Sequence, residues 1–157
     1  MLLQPTVMLK RVYDITPQLL LQLGVKAVAL DVDNTLTRNN SPEIEQKMSQ
    51  WLRDIQQQGF ALIIVSNNVK KRVGPFARGL GLEYIYSANK PLPGGLARVC
   101  KKLDIRREEL LMVGDQLFTD ILAANFFGCP SVLVEPFHLE QGLFMRQIGR
   151  ASCRERV

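Results

Sequence analysis

Histidine occurs once and cysteine three times in this chain of 157 residues. No apolar run approaches the roughly 20 residues that a membrane span needs. His138 has no second imidazole at metal-ligand spacing, and it is read as a surface or locally hydrogen-bonded residue without a catalytic role. Cys100, Cys129 and Cys153 are odd in number and lack the paired spacing of metal ligands, so reduced thiols that mostly fill the core are expected. At the N-terminus Lys10 and Arg11 follow the apolar residues, and Gln4 and Pro5 interrupt them. That is the reverse of a secretory signal, and the expected location is the cytoplasm. Internal repeats and low-complexity segments are absent as well. The remainder, 46% hydrophobic and 22% charged, is ordinary globular composition in a length that suits one domain with a full core.

The last ten residues, 148–157, break the pattern. They coincide with a translation of a common short-read sequencing adapter in one frame, and they are expected to be a non-native tail behind a domain of residues 1–147. Setting aside the tail's three Arg and one Glu lowers the net charge from +5 to +3. The basic balance then no longer argues for a nucleic-acid partner, and none is expected.

The richest stretch is Asp31-Val32-Asp33-Asn34-Thr35, directly after the apolar run Val28-Ala29-Leu30. Residues two apart in a strand point to the same side, so Asp31 and Asp33 would face one crevice at the end of a buried strand. Two like charges about 4 Å apart repel by roughly 4 kcal/mol at an effective dielectric near 20. A shared proton, a basic neighbour or a cation must compensate. Mg2+, a hard ion that takes carboxylate oxygens together with substrate phosphate, is the simplest answer. The same pentapeptide also fits a turn that caps a helix.

Three later sites favour the chemical reading. The apolar run Phe60 to Val65 stops at Ser66-Asn67-Asn68. Lys90-Pro91 follows Tyr84-Ile85-Tyr86, and Leu110 to Val113 runs into Gly114-Asp115-Gln116-Leu117-Phe118-Thr119-Asp120. Thr16-Pro17 opens a short helix that ends at Gly24, and Ala27 to Leu30 is the first strand. Ser41-Pro42 opens a second helix whose apolar residues Ile44, Met48, Trp51, Leu52 and Ile55 share one face, with Trp51 in the core and Gly59 as the stop. A basic helix from about Val69 to Leu80 carries Gly74-Pro75 as a candidate kink. Helices over Pro93 to Leu103 and Phe118 to Phe127 and a last strand, Ser131 to Val134, complete the pattern. Strands alternating with helices give a parallel sheet of five strands, with active residues at its carboxyl ends.

In order and spacing, Asp31-Val32-Asp33-Asn34-Thr35-Leu36, Ser66-Asn67-Asn68, Lys90-Pro91 and Gly114 to Asp120 resemble the four motifs of the haloacid dehalogenase (HAD) phosphatases. Within that superfamily the chain is similar to the YqeG-type, subclass III phosphatases, which resemble the mitochondrial phosphatidylglycerophosphate phosphatases. The likeness runs from about Gln4 to about Pro136. It implies a single HAD-like Rossmannoid domain and an Mg2+-dependent phosphomonoester hydrolase. By this resemblance Asp31 is the nucleophile that forms an aspartyl phosphate, and Asp33 is the acid-base whose backbone carbonyl also helps to hold the metal. Asp31 and Asp115 complete the Mg2+ site, and Asp120 is a further ligand or its water-mediated support. Ser66 and Asn67 bind phosphate oxygens at a helix start, and Lys90 gives a point charge to the phosphate and to Asp31. Thr35 and Asn34 brace the loop.

Asp33 and Ser66 are 33 residues apart and Ser66 and Lys90 are 24 apart, which leaves no room for an inserted cap domain, so an open site is expected. The expected partner is a phosphorylated small molecule or a lipid headgroup. Lys10, Arg11, Lys70, Lys71 and Arg72 are candidates for peripheral contact with an anionic membrane, while oligomeric state stays open. Two rival classes fit less well. In a phosphoaccepting signalling receiver the phosphorylated Asp ends the third strand, and in a non-catalytic module on the same core the full set of reactive side chains has no purpose.

Overall fold

A computed structural model describes residues 2–32 and 42–136 of the chain. Six strands, β1 (Val7–Leu9), β2 (Ala27–Leu30), β3 (Ala61–Val65), β4 (Glu83–Ile85), β5 (Leu110–Gly114) and β6 (Ser131–Val134), form one sheet in the order β1-β6-β5-β2-β3-β4. Every pairing is parallel. The five strands read from the sequence are joined by β1, which corrects the strand count to six. Val7 to Leu9 is only three residues long and pairs with Val132 to Val134 at the far end of the chain, so its extended state comes from tertiary pairing and not from a local signal.

The helices are α1 (Pro17–Leu23), α2 (Pro42–Gln57), α3 (Lys70–Leu80), α4 (Gly94–Leu103) and α5 (Leu122–Phe127). The start of α1 follows the expected chemistry: Thr16 Oγ1 accepts from Leu19 N at 3.1 Å, Pro17 takes the first turn, and Gly24 closes the helix at φ 73°. Pro75 lies inside α3, which runs through it to Leu80. The strands alternate between two cores. Val28 and Leu30 face α1, α2 and α3 in a cluster with Trp51, Ile55 and Val73, while Ala27 and Ala29 face α4 and α5 with Leu96, Val99 and Ala124. With both faces covered, the central strands are buried along their whole length. Trp51 is core as expected, and its Nε1 donates to Ile15 O at 2.8 Å. Cys100 and Cys129 are free, buried thiols. Among the described residues no helix is long and apolar enough to cross a membrane. Ser41, His138, Cys153 and the 148–157 segment lie outside the described residues.

At the amino end of the sheet Glu109 fastens β5. Lys26 Nζ lies 2.9 Å from its Oε2, and Arg106 N donates to its Oε1 at 2.9 Å. The Lys26 ammonium first, and the Arg106 N–H second, hold this carboxyl down at about 2. A depressed carboxylate contributes stability that is present above its unfolded value of 4.5 and lost as pH falls through the folded one. Glu109→Gln is therefore expected to melt below the parent protein at pH 7, with the gap closing between pH 4.5 and 2. A melting difference that stays constant through that window would contradict the ionic account.

Candidate active site

The carboxyl ends of β2, β3, β4 and β5 bring the expected residues together. Asp31 N donates to Val113 O at 3.0 Å, extending the β2–β5 ladder by one residue before the chain leaves the sheet. Beside it stands Lys90, whose side chain is 3% exposed. Its ammonium donates to Asp120 Oδ1 at 2.7 Å, Asp31 Oδ1 at 2.9 Å and Val65 O at 3.1 Å. Those three bonds use all three protons of the group and leave none for a further acceptor. Burial alone would lower its pKa, but Asp120 and then Asp31 outweigh it and the net shift is upward.

The loop after β3 differs from expectation. Helix α3 begins at Lys70 behind Val69, so Ser66 and Asn67 occupy a turn ahead of it and not a helix start. The Asn67 side-chain amide is occupied: its Oδ1 accepts from Lys90 N at 2.7 Å and its Nδ2 donates to Lys90 O at 3.1 Å. Asn67 thus clamps the backbone of the lysine. Ser66 is buried, and its Oγ accepts from Asn68 N at 3.0 Å, an arrangement that leaves the hydroxyl proton for a further acceptor.

After β5 the chain turns through one π-helical turn, Leu117–Ile121, which carries Asp120 back under the strand end. Gly114 makes this possible, since a Cβ there would collide with the Asp120 carboxylate. Asp120 Oδ2 accepts from Gln116 N at 3.3 Å, so both of its oxygens are engaged. Asp33, Asn34 and Thr35, expected beside Asp31, lie outside the described residues.

Asp31, Asp115 and Asp120 offer carboxylate oxygens that all lie within 4.8 Å of one another. At an effective dielectric near 20 each pair repels by about 3 kcal/mol or more. Lys90 offsets one of the three charges. Asp115 carries the residue of the conflict: burial first, then Asp120 and Asp31, push its carboxyl up to about 8. Its Oδ1 is buried with no hydrogen-bond partner among the described residues. An orphaned, buried oxygen in a hard, all-oxygen donor set of three carboxyl groups against one ammonium fits a divalent cation such as Mg2+. Asp115→Asn is accordingly expected to raise the melting temperature of the metal-free protein by a few degrees while abolishing metal-dependent stabilisation. Calorimetry with and without Mg2+ checks this, and a variant less stable than the metal-free parent would argue against electrostatic conflict at Asp115.

The open cleft above these groups has a volume of about 260 Å3, and Asn68, Gln116 and Thr119 line it together with Asp31, Ser66, Asn67 and Lys90. Thr119 Oγ1 donates to Gln116 Oε1 at 3.1 Å. Neither residue was singled out from the sequence, although both sit inside the Gly114 to Asp120 motif. Arg11, a candidate membrane contact, donates to Lys10 O and Glu135 O at 3.2 and 3.0 Å and so ties the ends of β1 and β6 together.

A family model described as haloacid dehalogenase-like hydrolase matches residues 46–128, and one described as mitochondrial PGP phosphatase matches residues 1–74. The "Probable phosphatase YqeG" of Bacillus subtilis is 34% identical over 149 residues, 93% of this chain and 87% of that protein. A chloroplastic/mitochondrial phosphatidylglycerophosphate phosphatase 1 of Arabidopsis thaliana is 30% identical over 156 residues, 93% of this chain but 45% of the relative. An uncharacterized protein of known structure from Corynebacterium glutamicum shares the fold at a TM-score of 0.61 and 16% identity, over 85% of this chain and 100% of that one. The chain belongs to the haloacid dehalogenase-like hydrolases, among the phosphatases of the YqeG type.

Proposed function

We propose that the chain hydrolyses phosphomonoesters with Mg2+ through an aspartyl phosphate on Asp31. The observation that carries this reading is the cluster of Asp31, Asp115 and Asp120 around the buried Lys90 ammonium, at the floor of an open polar cleft. First, an Asp31 carboxylate oxygen bonds to phosphorus as the bond from phosphorus to the alcohol oxygen breaks, and Asp33 gives its proton to the leaving alkoxide. Then a water oxygen attacks phosphorus, its proton passes to Asp33, the bond to Asp31 breaks and inorganic phosphate leaves. Asp33 enters on its Asp-x-Asp spacing and the family resemblance.

Asp31, Asp115 and the Asp33 backbone carbonyl would hold Mg2+, which when bound supplies charge neutralisation at the phosphoryl oxygens. Asp120 supports the site by anchoring Lys90. The Ser66 hydroxyl donates to a phosphate oxygen, and Asn67 serves it indirectly by fixing the Lys90 loop. The PGP phosphatase model and the Arabidopsis relative support a lipid headgroup phosphate as substrate, a reading that requires peripheral contact with a membrane. The open, polar cleft favours a second reading, a soluble phosphorylated metabolite or macromolecule.

Turnover of p-nitrophenyl phosphate is expected with Mg2+, to stop with EDTA and to return with excess Mg2+. Asp33→Asn is expected to slow it by about 100- to 10,000-fold at unchanged Mg2+ affinity. Full activity in EDTA would refute the metal dependence, and a rate defect cured by saturating Mg2+ would make Asp33 a ligand and not an acid-base. Comparing phosphatidylglycerophosphate in vesicles with soluble monophosphates decides between the two substrate readings.

A further inference from the structure

Seven large apolar side chains are exposed among the described residues, and four of them, Val69, Tyr86, Leu92 and Phe118, ride on the three loops that wall the cleft. Val69 follows Asn68, Leu92 stands two residues past Lys90, and Phe118 precedes Thr119. Val69 and Leu92 are each 60% exposed and Phe118 is 49% exposed. A lone exposed apolar residue is ordinary surface. Three loops that meet at one opening, each presenting such a residue, form the pattern of an interaction face.

The charge beside these tips has one sign. Residues 55–103 hold eight Lys and Arg and a single acid, Glu83. Glu83 opens β4 at the opposite, amino end of the sheet, where it pairs with Lys102 at 3.2 Å. Lys70, Lys71 and Arg72 are exposed directly after Val69. Lys70 Nζ lies 5.9 Å over the Tyr86 ring, which joins the basic turn to the β4–α4 loop.

We propose that the open end of the cleft docks on an anionic lipid bilayer, with Val69, Leu92 and Phe118 entering the boundary between headgroups and acyl chains while Lys70, Lys71 and Arg72 meet lipid phosphates. Apolar tips interleaved with cations distinguish this partner from the other candidates. A nucleic acid engages cations and stacking rings and leaves Val69 and Leu92 without a counterpart. A second copy of the chain would set the same positive face against itself. The inference rests on the phosphatase reading only for its purpose, the delivery of a headgroup phosphate to Asp31, because docking itself needs no turnover.

The test is co-sedimentation of the full chain with vesicles of phosphatidylglycerol and phosphatidylcholine, or of phosphatidylcholine alone. Association is expected with the anionic vesicles, weakening as salt rises. The triple variant V69S/L92S/F118S should lose it by roughly 10-fold or more, and K70Q/K71Q/R72Q by roughly 100-fold. Both variants should keep the parent's melting temperature and its hydrolysis of p-nitrophenyl phosphate. No association with anionic vesicles at low salt, equal association by V69S/L92S/F118S, or a dimer that this variant dissociates while vesicle binding persists would each overturn the proposal. Rim-dependent vesicle binding by a chain inactive on p-nitrophenyl phosphate would uphold the docking face and overturn the phosphatase mechanism.

Discussion

Asp31→Asn is expected to abolish turnover of p-nitrophenyl phosphate, by roughly 10,000-fold or more, in a protein that still folds. The substitution keeps size and planarity, and the amide oxygen can still accept from Lys90 Nζ, which lies 2.9 Å from Asp31 Oδ1 in the parent. What disappears is the negative oxygen that bonds to phosphorus. The variant should also fail to take up acid-stable, base-labile phosphate from labelled substrate. Undiminished turnover by a verified Asp31→Asn protein would remove Asp31 from the nucleophile's role.

Lys90→Met is expected to have the largest effect on stability. The substitution preserves bulk and removes a buried cation from two carboxylates and a carbonyl. Breaking a buried ion pair from one side costs about 3–5 kcal/mol, or roughly 6–20 °C of melting temperature for a domain of this size. The pH dependence has a definite sign. An unpaired, buried carboxylate binds its proton above its unfolded value, so the folded state gains stability as pH falls and the deficit of the variant should shrink from pH 8 to pH 5. Equal melting of variant and parent at pH 8 would show that Asp31 and Asp120 do not depend on this ammonium.

Elements with local chemical signals were legible in the sequence. Thr16, Pro17 and Gly24 delimit α1, and the apolar runs from Ala27 and Leu110 are buried strands whose ends carry Asp31 and Asp115. Strand β1 was not, because its partner lies 125 residues along the chain from its own neighbourhood, as the Thr6–Ser131 bonds show. The four-motif order announced which side chains meet, but their division of labour depends on orientation. Asn67 was expected by resemblance to bind phosphate, and its role as a clamp shows only where its side-chain amide bonds both N and O of Lys90. Likewise the exposure of Val69, Leu92 and Phe118 comes from the placement of their loops and has no local signal in the sequence.

The Lys90 ammonium reaches partners 25, 30 and 59 residues away in sequence, on the ends or turns of three different strands. No fragment shorter than residues 31–120 contains that junction, and no intermediate lacking β2, β3 or the turn after β5 can assemble it. Loop closure of that order comes late, once distant strands have docked. Catalytic competence should therefore appear only with the finished sheet. Recovery of activity after dilution from denaturant becomes a clock for the final step of folding, lagging any signal from helix formation in α1.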